Sequence, residues 1–149
     1  MKLEEYVRRY FKTHADVKLV VVTGSVGKTS TKVAIGTVLA ERFRIRLHEG
    51  NHNADLSAPL AILGVKYPDN IRSVSAWRTV FRAAKQRIAE PSDVDVIVQE
   101  VGSDRIGQVP HIRRYLRPDI AVVTAVSPEH MEYFGTIDAV AAEELSVVN

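Results

Sequence analysis

Val17-Lys18-Leu19-Val20-Val21-Val22 is a nearly unbroken apolar, β-branched run, followed at once by Thr23-Gly24-Ser25-Val26-Gly27-Lys28-Thr29-Ser30. No other feature narrows the fold as much. A run of this kind suits a strand buried on both faces of a parallel sheet. Thr29 to Arg42 then reads as a helix. A glycine-bearing turn between strand and helix sets backbone N–H groups and the positive end of a helix dipole at the strand's carboxyl end. Gly24 and Gly27 permit the backbone conformations that expose those N–H groups. Lys28 adds a point charge suited to terminal phosphates, and the Thr29 hydroxyl is a magnesium ligand in loops of this type. The common spacing G-x-x-x-x-G-K-[ST] is not met, since its first Gly would fall at Val22; the chain has the shorter G-x-x-G-K-T.

The rest of the chain repeats the alternation. Glu4–His14 reads as a helix with Tyr6, Val7, Tyr10 and Phe11 on one stripe, and Phe43–His48 alternates like a strand. Ala58–Val65 is a short apolar helix with Pro59 in its first turn, where a missing N–H costs little. Ala76–Ala89 is amphipathic, with Trp77, Phe81, Ala84 and Ile88 opposite Arg78, Arg82 and Lys85. Val94–Val98 and Ile120–Val126 read as two further buried strands, Gln108–Leu116 and Thr136–Val148 as helices. The helix after the glycine turn is expected to pack through Val33, Thr37 (or Gly36) and Ala40, and the last helix through Val140, Leu145 and Val148. Apolar strands alternating with helices predict an α/β fold, a parallel sheet flanked by helices, in a single domain over residues 1–149. Ligands of such sheets sit at the carboxyl ends of the strands. The polar segments 49–57, 99–107 and 127–135 all follow strands.

Composition excludes several classes. With 46% hydrophobic and 26% charged residues the chain is ordinary globular material. It has no cysteine, so disulfide frameworks, thiolate metal sites and thiol nucleophiles are excluded. No window is long and apolar enough for a membrane span, and the N-terminus lacks a signal peptide's apolar core; a cytoplasmic protein is expected. The net charge of +2 conceals a basic first part and an acidic remainder. Arg78, Arg82, Lys85 and Arg87 lack the interleaved aromatics of a nucleic-acid surface, so no nucleic-acid partner is expected.

Among chemistry-bearing residues, Glu100 closes the Val94–Val98 strand. A carboxylate at a strand end beside a phosphate loop is the usual arrangement for holding magnesium. His130, in the loop after the Ile120–Val126 strand, and His52, in Gly50-Asn51-His52-Asn53, lie where ligands of such a sheet would gather. His14, His48 and His111 read as structural or solvated. Neither a Ser/His/Asp set nor a zinc signature is present.

Four segments together resemble the central ATPase domain of the Mur ligase family. Residues 23–30 fit its phosphate loop, T-G-[ST]-x-G-K-[ST]-[ST], position by position. Asn51-His52-Asn53-Ala54-Asp55-Leu56-Ser57-Ala58-Pro59-Leu60 resembles its Asn-rich loop and Pro-containing helix, with Ser57 where Gly is usual. Glu100-Val101-Gly102 matches its E-x-G, and Pro118 through Gly135 its P-x-[IV]-A-V-[IV]-T-x-[IV]-x-x-x-H-[LM]-x-x-[FY]-G. Within the family the likeness is to the ligases that add D-alanyl-D-alanine.

The resemblance implies a P-loop NTPase-like central domain, incomplete at its C-terminal side, and an ATP-dependent ligase that forms an amide through an acyl phosphate in cell-wall peptide synthesis. ATP and Mg2+ would be its cofactors. Its partners would be a carboxylate-bearing, UDP-linked substrate and the remaining ligase domains of a longer chain. It implies nucleotide binding by Thr23, Gly24, Ser25, Val26, Gly27, Lys28, Thr29, Ser30 and Asn53 (or Asn51), and catalytic roles for Lys28, Glu100 and His130. Metal ligands would be Thr29, Glu100 and His130. The family's carbamylated lysine falls at Glu144 here, or at Glu143 with the alignment shifted by one, and Glu144 is expected to take over its carboxylate role directly or through water. Alternatives are a nucleotide-binding module without ligase turnover and a ligase of the folylpolyglutamate or cyanophycin synthetase kind.

Overall fold

The structure is a computed structural model that describes residues 3–47 and 56–148. Its elements run α1 (Leu3–Thr13), β1 (Lys18–Thr23), α2 (Lys28–Ala40), β2 (Ile45–Leu47), α3 (Ser57–Leu63), α4 (Val74–Ala89), β3 (Val96–Glu100), α5 (Gln108–Arg113), β4 (Ile120–Val123), α6 (Met131–Phe134) and α7 (Ile137–Leu145). The four strands form one sheet in the order β2-β3-β1-β4, and every pairing is parallel. The expected α/β architecture is therefore present. Among the described residues no helix is long and apolar enough to cross a membrane.

Strand alternation divides the core in two. Leu19 and Val21 of β1 and Ile97 of β3 face a larger core built with α1, α3, α4 and α5. Val20 and Val22 of β1, with Val96 and Val98 of β3, face Ile35 and Leu39 of α2. Side chains two apart share a sheet face, so Thr23 belongs to the first face and Glu100 to the second.

Helix α1 buries Leu3, Tyr6, Val7 and Tyr10, close to the expected stripe, while Phe11 packs at its margin. Tyr6 stacks on Phe81 of α4 at 5.6 Å, and the Tyr10 hydroxyl is 3.0 Å from Ser92 Oγ. Helix α4 packs as expected through Trp77, Phe81, Ala84 and Ile88, with Val80 added. Its start is fixed by Ser73, whose hydroxyl accepts the Ala76 N–H at 3.2 Å.

Three expectations fail. Helix α2 turns Val33, Thr37 and Ala40 to solvent and packs through Lys32, Ile35, Gly36 and Leu39, so that of the expected positions Gly36, the alternative to Thr37, alone is inside. The inward stripe lies one position earlier than expected: Ile35 and Leu39 pack on the sheet, and Lys32 comes within 3.4 Å of Glu100 on the same side. The Ile120–Val126 run is not a buried strand over its length, because β4 ends at Val123, pairs among the described residues with β1 alone, and is half-buried. Helix α7 leaves Leu145 exposed, as is Val148 beyond its end, and turns Glu143 and Glu144 inward beside Val140.

Candidate functional site

The phosphate loop is assembled at the carboxyl end of β1. Gly24 and Gly27 have φ of +121° and +81°, values that a side chain would strain. The loop is docked onto the segment after β4. The Ser25 N–H donates to Ala125 O at 2.8 Å, the Ser25 hydroxyl donates to Ser127 O at 3.1 Å, and the Ser127 N–H returns a bond to Ser25 Oγ at 3.0 Å. Thr124 Oγ1 donates to Val26 O at 2.7 Å. Ser25 thus spends its hydroxyl on holding the loop. No side chain caps α2, whose N-cap is Gly27. The first N–H groups of a helix lack intrahelical acceptors, so those of Lys28, Thr29 and Ser30 form the anion-facing end of the turn. Lys28 Nζ bends back to the carbonyls of Gly24 and Ser25, the latter at 3.2 Å, so the loop curls around its own cation.

Glu100 is brought beside the loop by sheet register, which pairs it with Val22. Thr29 Oγ1 donates to Glu100 Oε2 at 2.9 Å. Lys32 Nζ lies 3.4 Å from the same oxygen, with both side chains 3% exposed. A buried carboxylate and a hydroxyl in contact are the hard oxygen donors that magnesium prefers, and the ammonium beside them shows that the spot holds a cation. The donor set fits the ion.

The other expected residues go elsewhere. His130 has left-handed backbone angles (φ 46°, ψ 38°) as the N-cap of α6, and its Nε2 is 3.4 Å from Asp104 Oδ1. Next to it, the Arg105 guanidinium sits 5.3 Å over the Tyr133 ring. Glu144 Oε2 accepts from Thr23 Oγ1 and from the Gly24 N–H at 2.9 Å. These partners put it on the sheet face opposite Glu100. Asn51, His52, Asn53 and His48 lie outside the described residues. Among the described residues no three His, Asp or Glu side chains gather as a metal cluster. The structural reading of His14 and His111 agrees with their contacts: His14 Nε2 is 3.2 Å from Arg87 O, and His111 Nε2 is 3.1 Å from Glu4 Oε1.

Sequence reasoning missed Lys32 and Asp104, and brought in Glu143 only as an alternative to Glu144 at the metal site. Lys32 had one signal, its place one turn after Lys28 on the α2 stripe. Glu143 accepts the N–H groups of Gly107 and Val109, both at 2.8 Å, and so caps α5. A cavity of about 600 Å³ lined by Arg113, Arg114, Arg117 and Asp119 opens at the start of β4, the sheet end opposite the phosphate loop. Its arginines are exposed, so it has none of the buried polar groups that mark the loop end.

Comparison with known proteins bears on the family and the fold. The family model described as Mur ligase middle domain matches residues 22–149. The UDP-N-acetylmuramoyl-tripeptide--D-alanyl-D-alanine ligase of Bacillus subtilis is 26% identical over 147 residues, which cover 99% of this chain and 26% of the relative. The UDP-N-acetylmuramoylalanine--D-glutamate ligase of Streptococcus pneumoniae is 27% identical over 135 residues, 91% of this chain and 23% of the relative. Among solved structures, MurF from Acinetobacter baumannii shares the fold with a TM-score of 0.74 at 20% identity, over 97% of this chain and 26% of that one. The MurF ligase of Thermotoga maritima, solved in complex with ADP, gives 0.73 at 23% identity, over 98% and 28%. The chain thus spans about a quarter of the length of these relatives. The chain belongs to the Mur ligase family and carries its middle domain over residues 22–149.

Proposed function

We propose that this chain is the nucleotide-binding part of an ATP-dependent ligase that joins a carboxylate to an amine, working in the cytoplasm on a UDP-linked cell-wall precursor. The observation that carries the reading is the phosphate loop set beside Glu100, with Thr29 Oγ1 2.9 Å from the buried carboxylate. A loop of open amides, a lysine and an adjoining oxygen pair is the set of parts that phosphoryl transfer needs.

The amides at the start of α2 hold the phosphates, and Lys28 exchanges the carbonyls of Gly24 and Ser25 for β/γ-phosphate oxygens. A substrate carboxylate oxygen attacks the γ-phosphorus, ADP leaves, and an acyl phosphate remains. An amine then attacks the acyl carbon, phosphate departs, and the nitrogen loses a proton to solvent as the amide forms. Thr29 and Glu100 would hold magnesium, which when bound neutralises phosphate charge. His130, whose Nε2 is 3.4 Å from Asp104 Oδ1, is assigned to a second ion on family resemblance alone. The protein's contribution is positioning and charge neutralisation, with no covalent step on its own side chains. Asn53 is assigned to the γ-phosphate on family resemblance alone. The acyl and amine substrates would be held by further ligase domains, as the relatives' greater length suggests.

The test is calorimetry of ATP with magnesium on the wild type and Lys28→Ala. The reading expects binding in the first and at least about a hundredfold loss in the second, as for removal of a charged partner from a phosphate. Equal affinities would refute it.

A further inference from the structure

Glu144 is 1% exposed, a carboxylate buried on α7 beside Val140 and Glu143. Burying such a group is costly unless its oxygens are met by donors. Here they are met by the phosphate loop itself. Oε2 accepts from Thr23 Oγ1 and from the Gly24 N–H at 2.9 Å, and Oε1 is 3.5 Å from Ser103 Oγ in the loop after β3. Thr23 is the last residue of β1 and Gly24 the first of the loop. The Gly24 amide, at φ +121°, therefore points away from a nucleotide and into the protein. Thr23 shares its sheet face with Leu19 and Val21, whereas Glu100 shares the other with Val96 and Val98. The sheet separates the two carboxylates.

We propose that Glu144 is a positioning residue that pins the entry of the phosphate loop from the face opposite Glu100, in place of the metal-ligand role expected from the sequence. Two donors converging on one buried oxygen fix both the Thr23 rotamer and the plane of the peptide between Thr23 and Gly24. That plane sets the direction in which the following amides open. Glu143, one residue earlier, holds the N–H groups of Gly107 and Val109. Helix α7 thereby grips the loops that leave β1 and β3 through adjacent residues. The anchor itself stands on the contacts alone; its effect on nucleotide rests on the function proposed above.

An anchor needs an acceptor oxygen, whereas a carboxylate ligand of a divalent ion owes most of its affinity to its charge. Glu144→Gln keeps a carbonyl in place, and Glu144→Leu removes every acceptor at similar volume. In the nucleotide-free chain, hydrogen exchange of the Gly24 amide should be roughly tenfold faster or more in Glu144→Leu and close to wild type in Glu144→Gln, in line with the loss of a charge-assisted bond to a buried donor. ADP affinity by calorimetry should fall about tenfold in Glu144→Leu and less than about threefold in Glu144→Gln. Mn2+ affinity in the presence of ADP should be unchanged in Glu144→Gln. Glu143→Leu, equally buried, should lower the melting temperature and leave ADP affinity alone, which separates positioning from general destabilisation. If Glu144→Leu does not fold, Thr23→Val removes one donor from the other side and should weaken ADP several-fold.

Unchanged Gly24 exchange in Glu144→Leu would overturn the anchor, or, should that variant not fold, unchanged ADP affinity in Thr23→Val. A Glu144→Gln variant that loses Mn2+ as severely as Glu100→Gln would restore Glu144 to the metal site. Absence of ADP binding by the wild type would refute the proposed function while leaving the exchange experiment to decide the anchor.

Discussion

Replacing Lys32 by Met is the most demanding test of the site, because it separates two reasons for burying a lysine under a phosphate loop. Lys32 and Glu100 are each 3% exposed and lie 3.4 Å apart. Removing one partner of such a pair leaves a buried charge and costs about 3–5 kcal/mol. Thr29 Oγ1 still donates to Glu100 at 2.9 Å in the variant, so the loss should sit at the lower end, about 3 kcal/mol. For a chain of this size that is roughly 6–12 °C in melting temperature. Met is close to Lys in length and is apolar, so cavity formation contributes little. Urea unfolding of wild type, Lys32→Met, Glu100→Gln and the double variant gives the coupling directly. A loss below about 1 kcal/mol, the scale of an exposed pair, would refute the buried-pair argument. A second arm asks what the ammonium is for. With it gone, Glu100 and Thr29 are left as an oxygen pair with no resident cation. Magnesium should then stabilise Lys32→Met more than wild type, by about 1.4 kcal/mol at ten times its dissociation constant. Equal stabilisation of the two would show that Lys32 and a metal do not share Glu100.

Gly24→Ala should cost far more than Gly27→Ala. A Cβ at Gly24 would come within 2.8 Å of Ala125 O at φ +121°, while at Gly27 it meets nothing within 4 Å. Urea midpoints should give about 3 kcal/mol or more against about 1 kcal/mol, and equal losses would mean that the loop is not docked on residues 124–127. The acid limb of stability should come from the exposed carboxylates at the strand starts. The Arg44 side chain, with its backbone N–H, holds Asp95 below the usual carboxylate range; Asp119, pushed up by burial, is brought lower on balance by the Leu19 N–H and Lys18. Depressed folded-state values mean the contribution is present above the ordinary carboxylate pKa of about 3.9 and is lost as pH falls through the lower folded values. Urea midpoints should therefore be flat near neutrality and fall below about pH 4, less steeply in Asp119→Asn. Reversing Arg78, Arg82 and Lys85 together should change stability by less than about 0.5 kcal/mol per site, since all three are exposed. A larger loss in urea unfolding would mean that this face is packed.

The legibility of the chain followed the chemistry of its residues. Apolar runs exposed the strands, and the glycine turn placed the loop, because both signals are local and depend on backbone sterics and burial. What failed was the choice of inward face on α2 and α7. Hydrophobic periodicity assigns a helix's packing side to its apolar residues, so on α2 it favoured Val33 and Ala40, and on α7 Leu145 and Val148. The actual inner faces carry Lys32, Glu143 and Glu144, which burial alone would reject. They are inside because each meets a partner far away in sequence: Lys32 meets Glu100, Glu143 meets Gly107 and Val109, and Glu144 meets Thr23 and Gly24. Such pairings arise only once the sheet has set β1 beside β3 and brought α7 against the ends of both. The same reasoning bears on Glu144 itself. Family resemblance aligned it with a lysine that carries a carboxylate on a long arm. A glutamate at that place reaches less far from the helix, and its carboxylate meets the first donors inward of α7, which are Thr23 Oγ1 and the Gly24 N–H.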